Sequence, residues 1–267
     1  MLTILALTAI CYVIATFFRI REKVAGQPMK NHSRMSLLAA IIFNLWLLYV
    51  FTDTTRHSAE FSLGGFFIIG ALSLALATIF IELLLQESYF SAFSLPICLV
   101  MLLMSLLVRG HIAGDHFSQP WFLIHLIAAI TGECFFLIAA ISGATYLFVV
   151  RRLKSKNKLK AVSLFPPLTR LDSLTYRTIM IGTLLFLIGL GIGLYGNMRH
   201  FAGFSPVFKH YFSVLVMAYY GLIVIMRQKL QFAGPRLANA ALVGLLLSAA
   251  LIFLPDNDQH WLAEQIK

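Results

Sequence analysis

The sequence predicts an all-α, polytopic membrane protein: eight transmembrane helices in one bundle, with both termini on the outer face. Three observations predict it. Hydrophobic residues make up 60% of the 267 residues and charged residues only 12%, more apolar surface than a soluble domain of this size can bury. The apolar residues fall in eight long runs, most near the 20 residues that cross a hydrocarbon core as a helix. Lys and Arg concentrate in alternate connections between these runs, the pattern that orients membrane helices. Residues 1–267 read as a single integral membrane domain.

The runs can be taken in order. The first covers about 2–20. Its basic residues Arg19, Arg21 and Lys23 follow the apolar stretch rather than precede it, and no small-residue cleavage site comes after. It therefore reads as an anchored helix and not a removable leader. The second and third cover 35–52 and 62–84. The fourth, 91–108, is interrupted early by Pro96. The fifth, 121–150, is too long for one crossing and is expected to tilt or project. The sixth to eighth cover 176–197, 207–226 and 237–254. Helices are the economical reading because a lipid-exposed backbone must satisfy its own hydrogen bonds. The period-2 alternation of a membrane barrel is absent.

Eight spans leave four connections on the side away from the termini. These hold five, none, eight and three Lys/Arg, or sixteen of the 21. Arg56, Arg109, Arg199, Lys209 and Lys267 remain on the opposite side. Both termini are therefore expected outside. The net charge of +10 follows from this topology and is no sign of nucleic-acid binding. The patch Arg151–Lys160 reads as a stop-transfer flank, with contact to anionic lipid as the alternative.

On this map the histidines are one-sided. His32 lies inside. His57, His111, His116, His125, His200, His210 and His260 lie at or near the outer face. Imidazole ligates metals near neutral pH, so an outer-face metal or haem site is indicated. His125 and His210 stand out because each is about one turn inside an apolar helix, at similar depth. Ionisable groups there usually face a bundle interior or a cavity. Two such histidines on different helices can hold one haem iron from opposite sides. The alternative for each is an interfacial histidine bonded to a carbonyl or headgroup. His57 and His260 are kept as further candidate ligands. Arg56, Arg199 and Lys209 share this face and are candidate partners for haem propionates. Arginine's planar fork suits carboxylates, while snorkelling at a helix end is the alternative.

Gly189, Gly193 and Gly196 share one face of the sixth span by i, i+4, i+7 spacing. Close helix packing is the simpler use of such a stripe, and approach of a flat macrocycle is the other. Cys11, Cys98 and Cys134 fall mid-span and read as small hydrophobes; nothing supports a disulfide. Glu133, inside the fifth span, is a functional candidate by position or pairs with a hydroxyl of a neighbouring helix. No C-x-x-C-H, Walker A, G-x-S-x-G or H-E-x-x-H motif occurs, so covalent haem attachment and an enzyme activity are not expected.

Several local motifs add to this. Ser118-Gln119-Pro120-Trp121-Phe122-Leu123-Ile124-His125 resembles the S-N-W-L-x-x-H signature of the cytochrome c assembly family, the group of CcsA, CcmC and HemX. Phe165-Pro166-Pro167-Leu168, then Asp172, then a span with Gly182 and Gly193 resembles the P-P-L…E…G pattern of its HemX-like branch. Lys209 stands where that family has the lysine of D-P-K, and Phe232-Ala233-Gly234-Pro235-Arg236 resembles its G-W-x-G-R turn. The motifs cover residues 118–254, and residues 1–110 match in hydropathy. The Trp-rich W-G-x-x-W-x-W-D segment of the synthetase branch is absent between Tyr195 and Lys209, as in the HemX branch.

The resemblance implies haem b held at the outer face of a bacterial inner membrane. His125 takes the place of the first external ligand and His260 that of a second. It also implies partners: haem, cytochrome c assembly proteins, or glutamyl-tRNA reductase on the inner side. The expected function is transport or holding of haem for cytochrome c assembly or haem homeostasis. A b-type electron-transfer cytochrome and a small-solute transporter without haem are the alternatives. Histidines at one depth only favour a single haem station over a transmembrane electron path. The lack of an internal repeat disfavours the transporter.

Overall fold

The computed structural model describes residues 2–25, 30–55, 60–84, 90–107, 111–113, 120–154, 165–200 and 208–253. Eight helices account for nearly all of them: α1 Leu2–Ala25, α2 Lys30–Thr55, α3 Leu63–Leu84, α4 Ser91–Leu107, α5 Pro120–Lys154, α6 Leu168–His200, α7 Phe208–Leu230 and α8 Pro235–Phe253. One three-residue antiparallel ladder is added, β1 Glu60–Ser62 against β2 His111–Ala113. It ties the connection before α3 to the one before α5.

Six helices are long and apolar enough to cross a membrane, and α4 and α8 contain apolar helical stretches of Ser91–Leu107 and Pro235–Leu251. Their outward faces carry large apolar side chains in rows, such as Leu7, Ile10, Val13, Ile14 and Phe17 on α1. A soluble monomer does not leave such continuous faces in water, whereas lipid covers them at no cost. The chain is a multi-pass membrane protein. Threonine hydroxyls inside the helices turn back on their own backbone, as Thr8 does on Ile4 O at 2.8 Å and Thr183 on Ile179 O at 2.7 Å. No bare hydroxyl is then presented to hydrocarbon.

The helices group in two sets of four. α1 packs on α2, α2 on α3, α3 on α4 and α4 back on α1, closing a ring. α5 to α8 form the second set, and α3 against α5 joins the two. α5 serves both cores. Ile130, Cys134, Phe135 and Ile138 pack with the first set, and Phe136 and Ala139 pack with the second. Phe136 stacks on Tyr220 of α7 at 3.6 Å between ring centroids, nearly parallel.

Several helix ends run well past the expected spans. The expected basic loop from Arg19 to Arg34 is mostly helix: α1 runs on to Ala25 and α2 begins at Lys30. Arg19 is buried there, paired with Glu82 near the end of α3 and with Glu22 at 3.0 Å. Arg34 Nε reaches the same Glu82 carboxylate at 3.6 Å. Lys, Arg and Glu are good helix formers, and a carboxylate partner lets the helices continue past the apolar run. α6 likewise starts at Leu168, eight residues before the expected span, directly after Pro166-Pro167. α5 reaches 35 residues, as the length of its run indicated.

A second ionic tie holds α6, α7 and the turn into α8. Asp172 accepts from Arg227 Nη2 at 2.6 Å through one oxygen and from the Gly234 backbone N–H at 2.6 Å through the other. Arg227 also donates to Phe232 O at 3.2 Å. Gly234 has φ of 65°, which a side chain resists, and its open Cα side rests against the Tyr146 hydroxyl. The acidic residue after Pro-Pro-Leu and the glycine turn, far apart in sequence, are thus one structure.

Candidate functional site

Proline at the first position of α5 pre-sets the helical φ, and its missing N–H is one that a helix start leaves unused. Trp121, His125 and Ala129 then follow at i, i+4 and i+8, one above another on a single face. The antiparallel α6 meets that face with glycine at each level. A Cβ on Gly189 would stand 2.9 Å from Ala129 N, and one on Gly193 would stand 2.7 Å from both Nδ1 and Cε1 of His125. A Cβ on Gly196 would run into the Trp121 indole. The glycine stripe is therefore filled by α5: it brings two backbones together and seats two aromatic rings, and α5 occupies the face a macrocycle would need.

This seat orients His125. Its Nδ1 lies 2.6 Å from Gly189 O. A carbonyl oxygen only accepts, so Nδ1 carries the proton and donates it. Nε2 keeps its lone pair and forms no hydrogen bond among the described residues. Metal-binding histidines are commonly held this way, one ring nitrogen bonded to a backbone carbonyl and the other left to ligate. Phe122 flanks the ring edge-on at 6.0 Å between centroids.

His210 is the third residue of α7 and comes within electrostatic range of His125. Its Nδ1 is closed off from solvent and has no hydrogen-bond partner among the described residues. A buried ring nitrogen left unbonded costs about 1–3 kcal/mol, and such an atom needs a reason to persist. The two intrahelical histidines, 85 positions apart in sequence, are thus brought to one end of the α5–α8 set.

The other expected site residues are placed less fully. Arg199 and His200 belong to the last turn of α6, and Lys209 to the first turn of α7. Arg199 and His200 were expected in a loop and are helical. His111 sits in β2, opposite Ser62. Arg56, His57, His116 and His260 lie outside the described residues. His32 is exposed at the opposite end of the bundle, its ring 5.8 Å from that of Phe18.

Among the described residues no three of His, Cys, Asp and Glu cluster to hold a metal ion by themselves. Two imidazoles alone are an incomplete donor set for a metal ion; a haem would bring the remaining donors in its porphyrin. The groove between α6 and α7, lined by Met180, Thr183, Leu184, Leu187 and Val224, lies away from both histidines. Its one hydroxyl, on Thr183, is already bonded within α6.

Sequence reasoning missed Gly189 O as the partner of His125, although the glycine stripe and the histidine were both in view. It also missed the Asp172–Gly234 tie, whose two ends belong to separate motifs. No curated protein matches the chain. The family described as cytochrome c assembly protein matches residues 29–256, from just before α2 to just past α8, and so extends well upstream of the recognisable motifs. A match over most of the chain, on a multi-pass helical fold with two intrahelical histidines at one end, establishes that the chain belongs to the cytochrome c assembly protein family.

Proposed function

We propose that the chain binds haem b at the end of the bundle that carries His125 and His210, and that it holds or passes on that haem during cytochrome c assembly. One observation carries the reading: His125 donates Nδ1–H to Gly189 O and keeps Nε2 for iron. His210, whose buried Nδ1 has no hydrogen-bond partner among the described residues, is the second candidate ligand. Arg199 and Lys209, in the last turn of α6 and the first turn of α7, are candidate partners for propionates, with Arg56, His57 and His260 as further candidates outside the described residues. The haem would supply the iron chemistry. The protein's own part is to fix the tautomer of one imidazole, desolvate the other and balance the carboxylates.

On this reading all eight helices cross the membrane. The apolar 17 residues of α4 extend about 26 Å at 1.5 Å per residue, close to the hydrocarbon thickness. The histidine end faces outward, because Arg151, Arg152 and Lys154 end α5 at the other side. The cell membrane would be a bacterial inner membrane. The missing Trp-rich segment between Tyr195 and Lys209 favours haem holding over its ligation to apocytochrome, hence the HemX-like branch, and an inner-side partner such as glutamyl-tRNA reductase. An electron path across the bilayer is disfavoured, because His32 is the one described histidine at the basic end.

The test is the absorption spectrum of protein purified from haem-replete cells. A Soret band that His125→Ala abolishes or shifts is expected. Its absence in the unaltered protein would sink the haem reading, and an unchanged spectrum in the variant would exclude His125 as a ligand.

A further inference from the structure

The groove between α6 and α7 is apolar along its length and polar at one end. Met180, Ile181, Thr183, Leu184 and Leu187 line it from α6 and Val224 from α7, around a cavity of about 320 Å³. The Thr183 hydroxyl is turned back on Ile179 O, so the lining suits hydrocarbon. Gly221, one turn from Val224 on the same face of α7, adds no bulk there: a Cβ on it would meet nothing within 4 Å.

The polar end is the basic end of the bundle. Arg177 continues the lining row of α6, since 177, 180, 181, 184 and 187 share one face at helical spacing. It is exposed, and it has no ion pair or hydrogen bond among the described residues. The one carboxylate of α6, Asp172, is engaged with Arg227 and the Gly234 N–H and does not neutralise it. Across the groove Gln228, one turn beyond Val224, donates Nε2 to the Tyr176 hydroxyl at 3.3 Å. The tyrosine hydrogen and the second amide hydrogen are left as donors. The length of the row also fits a lipid. From Arg177 to Leu187 the helix rises about 15 Å, half of a hydrocarbon core roughly 30 Å thick. A cation thus stands at the interface, and apolar lining runs from it through the depth of one leaflet.

We propose that α6 and α7 hold one anionic phospholipid of the leaflet at the basic end. One acyl chain lies in the groove and Arg177 binds the phosphate, with Tyr176 and Gln228 as neutral donors. Basic pockets between transmembrane helices recognise such headgroups. An anionic headgroup is selected because Arg177 lacks a carboxylate of its own, whereas a zwitterionic headgroup brings a second cation to it. Among the six long spans α7 is the least enclosed by protein, so the lipid adds contact between α6 and α7 where the protein has little.

Photolabelling of the intact protein in vesicles tests this without haem. The vesicles are phosphatidylcholine with a minor share of phosphatidylglycerol that carries a diazirine on one acyl chain, and labelled residues are read by mass spectrometry. Labels are expected at Met180, Leu184, Leu187 and Val224, several-fold above those on the exposed row of α1. The same diazirine on phosphatidylcholine should label the groove several-fold less. Arg177→Gln should remove that preference and Arg177→Lys keep most of it. Val224→Phe, which fills the groove, should remove groove labels from either lipid. Equal labelling by the two lipids, a preference unchanged in Arg177→Gln, groove labels unchanged in Val224→Phe, or labels spread evenly over α1 and the groove overturns the proposal. A groove that neither lipid labels, as when a second copy of the chain covers it, overturns it too. Should Arg177→Gln not fold, the unaltered protein decides. Raising the share of unlabelled phosphatidylglycerol should then reduce groove labels several-fold more than labels on α1, and an equal reduction refutes the site.

Discussion

His125 Nδ1 and Gly189 O lie 2.6 Å apart, and the contact exists because Gly193, one turn further along α6, has no side chain to hold the imidazole away. Orientation of the ring is therefore set by the neighbouring helix as much as by α5. That dependence separates loss of the ligand from loss of its setting.

Gly193→Ala introduces a methyl 2.7 Å from two ring atoms of His125. Overpacking of this kind costs about 1–3 kcal/mol. The ring is expected to swing away from Gly189 O and the Soret band to weaken or shift, although His125 itself is intact. Gly191→Ala, at a glycine with nothing within 4 Å, should leave the spectrum unchanged. Absorption spectra of the two variants, compared side by side, check both.

His210→Phe removes a buried ring nitrogen that has no hydrogen-bond partner among the described residues. A residue kept only for packing would lose stability on substitution, whereas here the buried orphan is a cost of about 1–3 kcal/mol that disappears. Unfolding in detergent without haem should show unchanged or higher stability, while the haem spectrum changes. A stability loss with an unchanged spectrum would make His210 structural.

Asp172→Ala cuts two hydrogen bonds at once, one to a guanidinium and one to the turn backbone. Charge-assisted bonds contribute about 1.5–3 kcal/mol each, discounted here because both side chains are partly exposed. A loss of about 2 kcal/mol is expected. Asp172→Asn should fall between, since its carbonyl can still accept from Gly234. Thermal unfolding of the purified protein reads the difference.

Arg19→Met leaves Glu82 buried beside Arg34 alone, and Glu82→Gln leaves Arg19 with the distal Glu22. Breaking one side of a buried pair costs about 3–5 kcal/mol. The double variant should be less harmful than the sum of the two, with the coupling measured by a double-mutant cycle.

The three thiols are free, with Cys98 and Cys134 buried and Cys11 half-buried. A membrane-permeant alkylating reagent should modify Cys11 first in folded protein, and all three only after denaturation, as followed by mass spectrometry.

Much of the fold was legible because its signals are local. Apolar runs located the helices, and the excess length of the fifth run became the 35 residues of α5. Glycines at i, i+4, i+7 marked the seam with α6. Helix ends were less legible: Arg19 and Arg34 look like loop residues until Glu82 is seen between them, and that pairing spans 63 positions. The site was half legible. A histidine inside an apolar helix announces itself, but the tautomer of His125 depends on a carbonyl 64 positions away, and backbone carbonyls carry no sequence mark.

Membership of α5 in both cores has a consequence for how the chain can vary. From Cys134 to Ala140, every residue but Leu137 is buried, so this stretch lacks the free face that most membrane helices offer to lipid. A saturation scan of substitutions should show a solid intolerant block here, where α1 or α7 would show a stripe recurring every three to four residues.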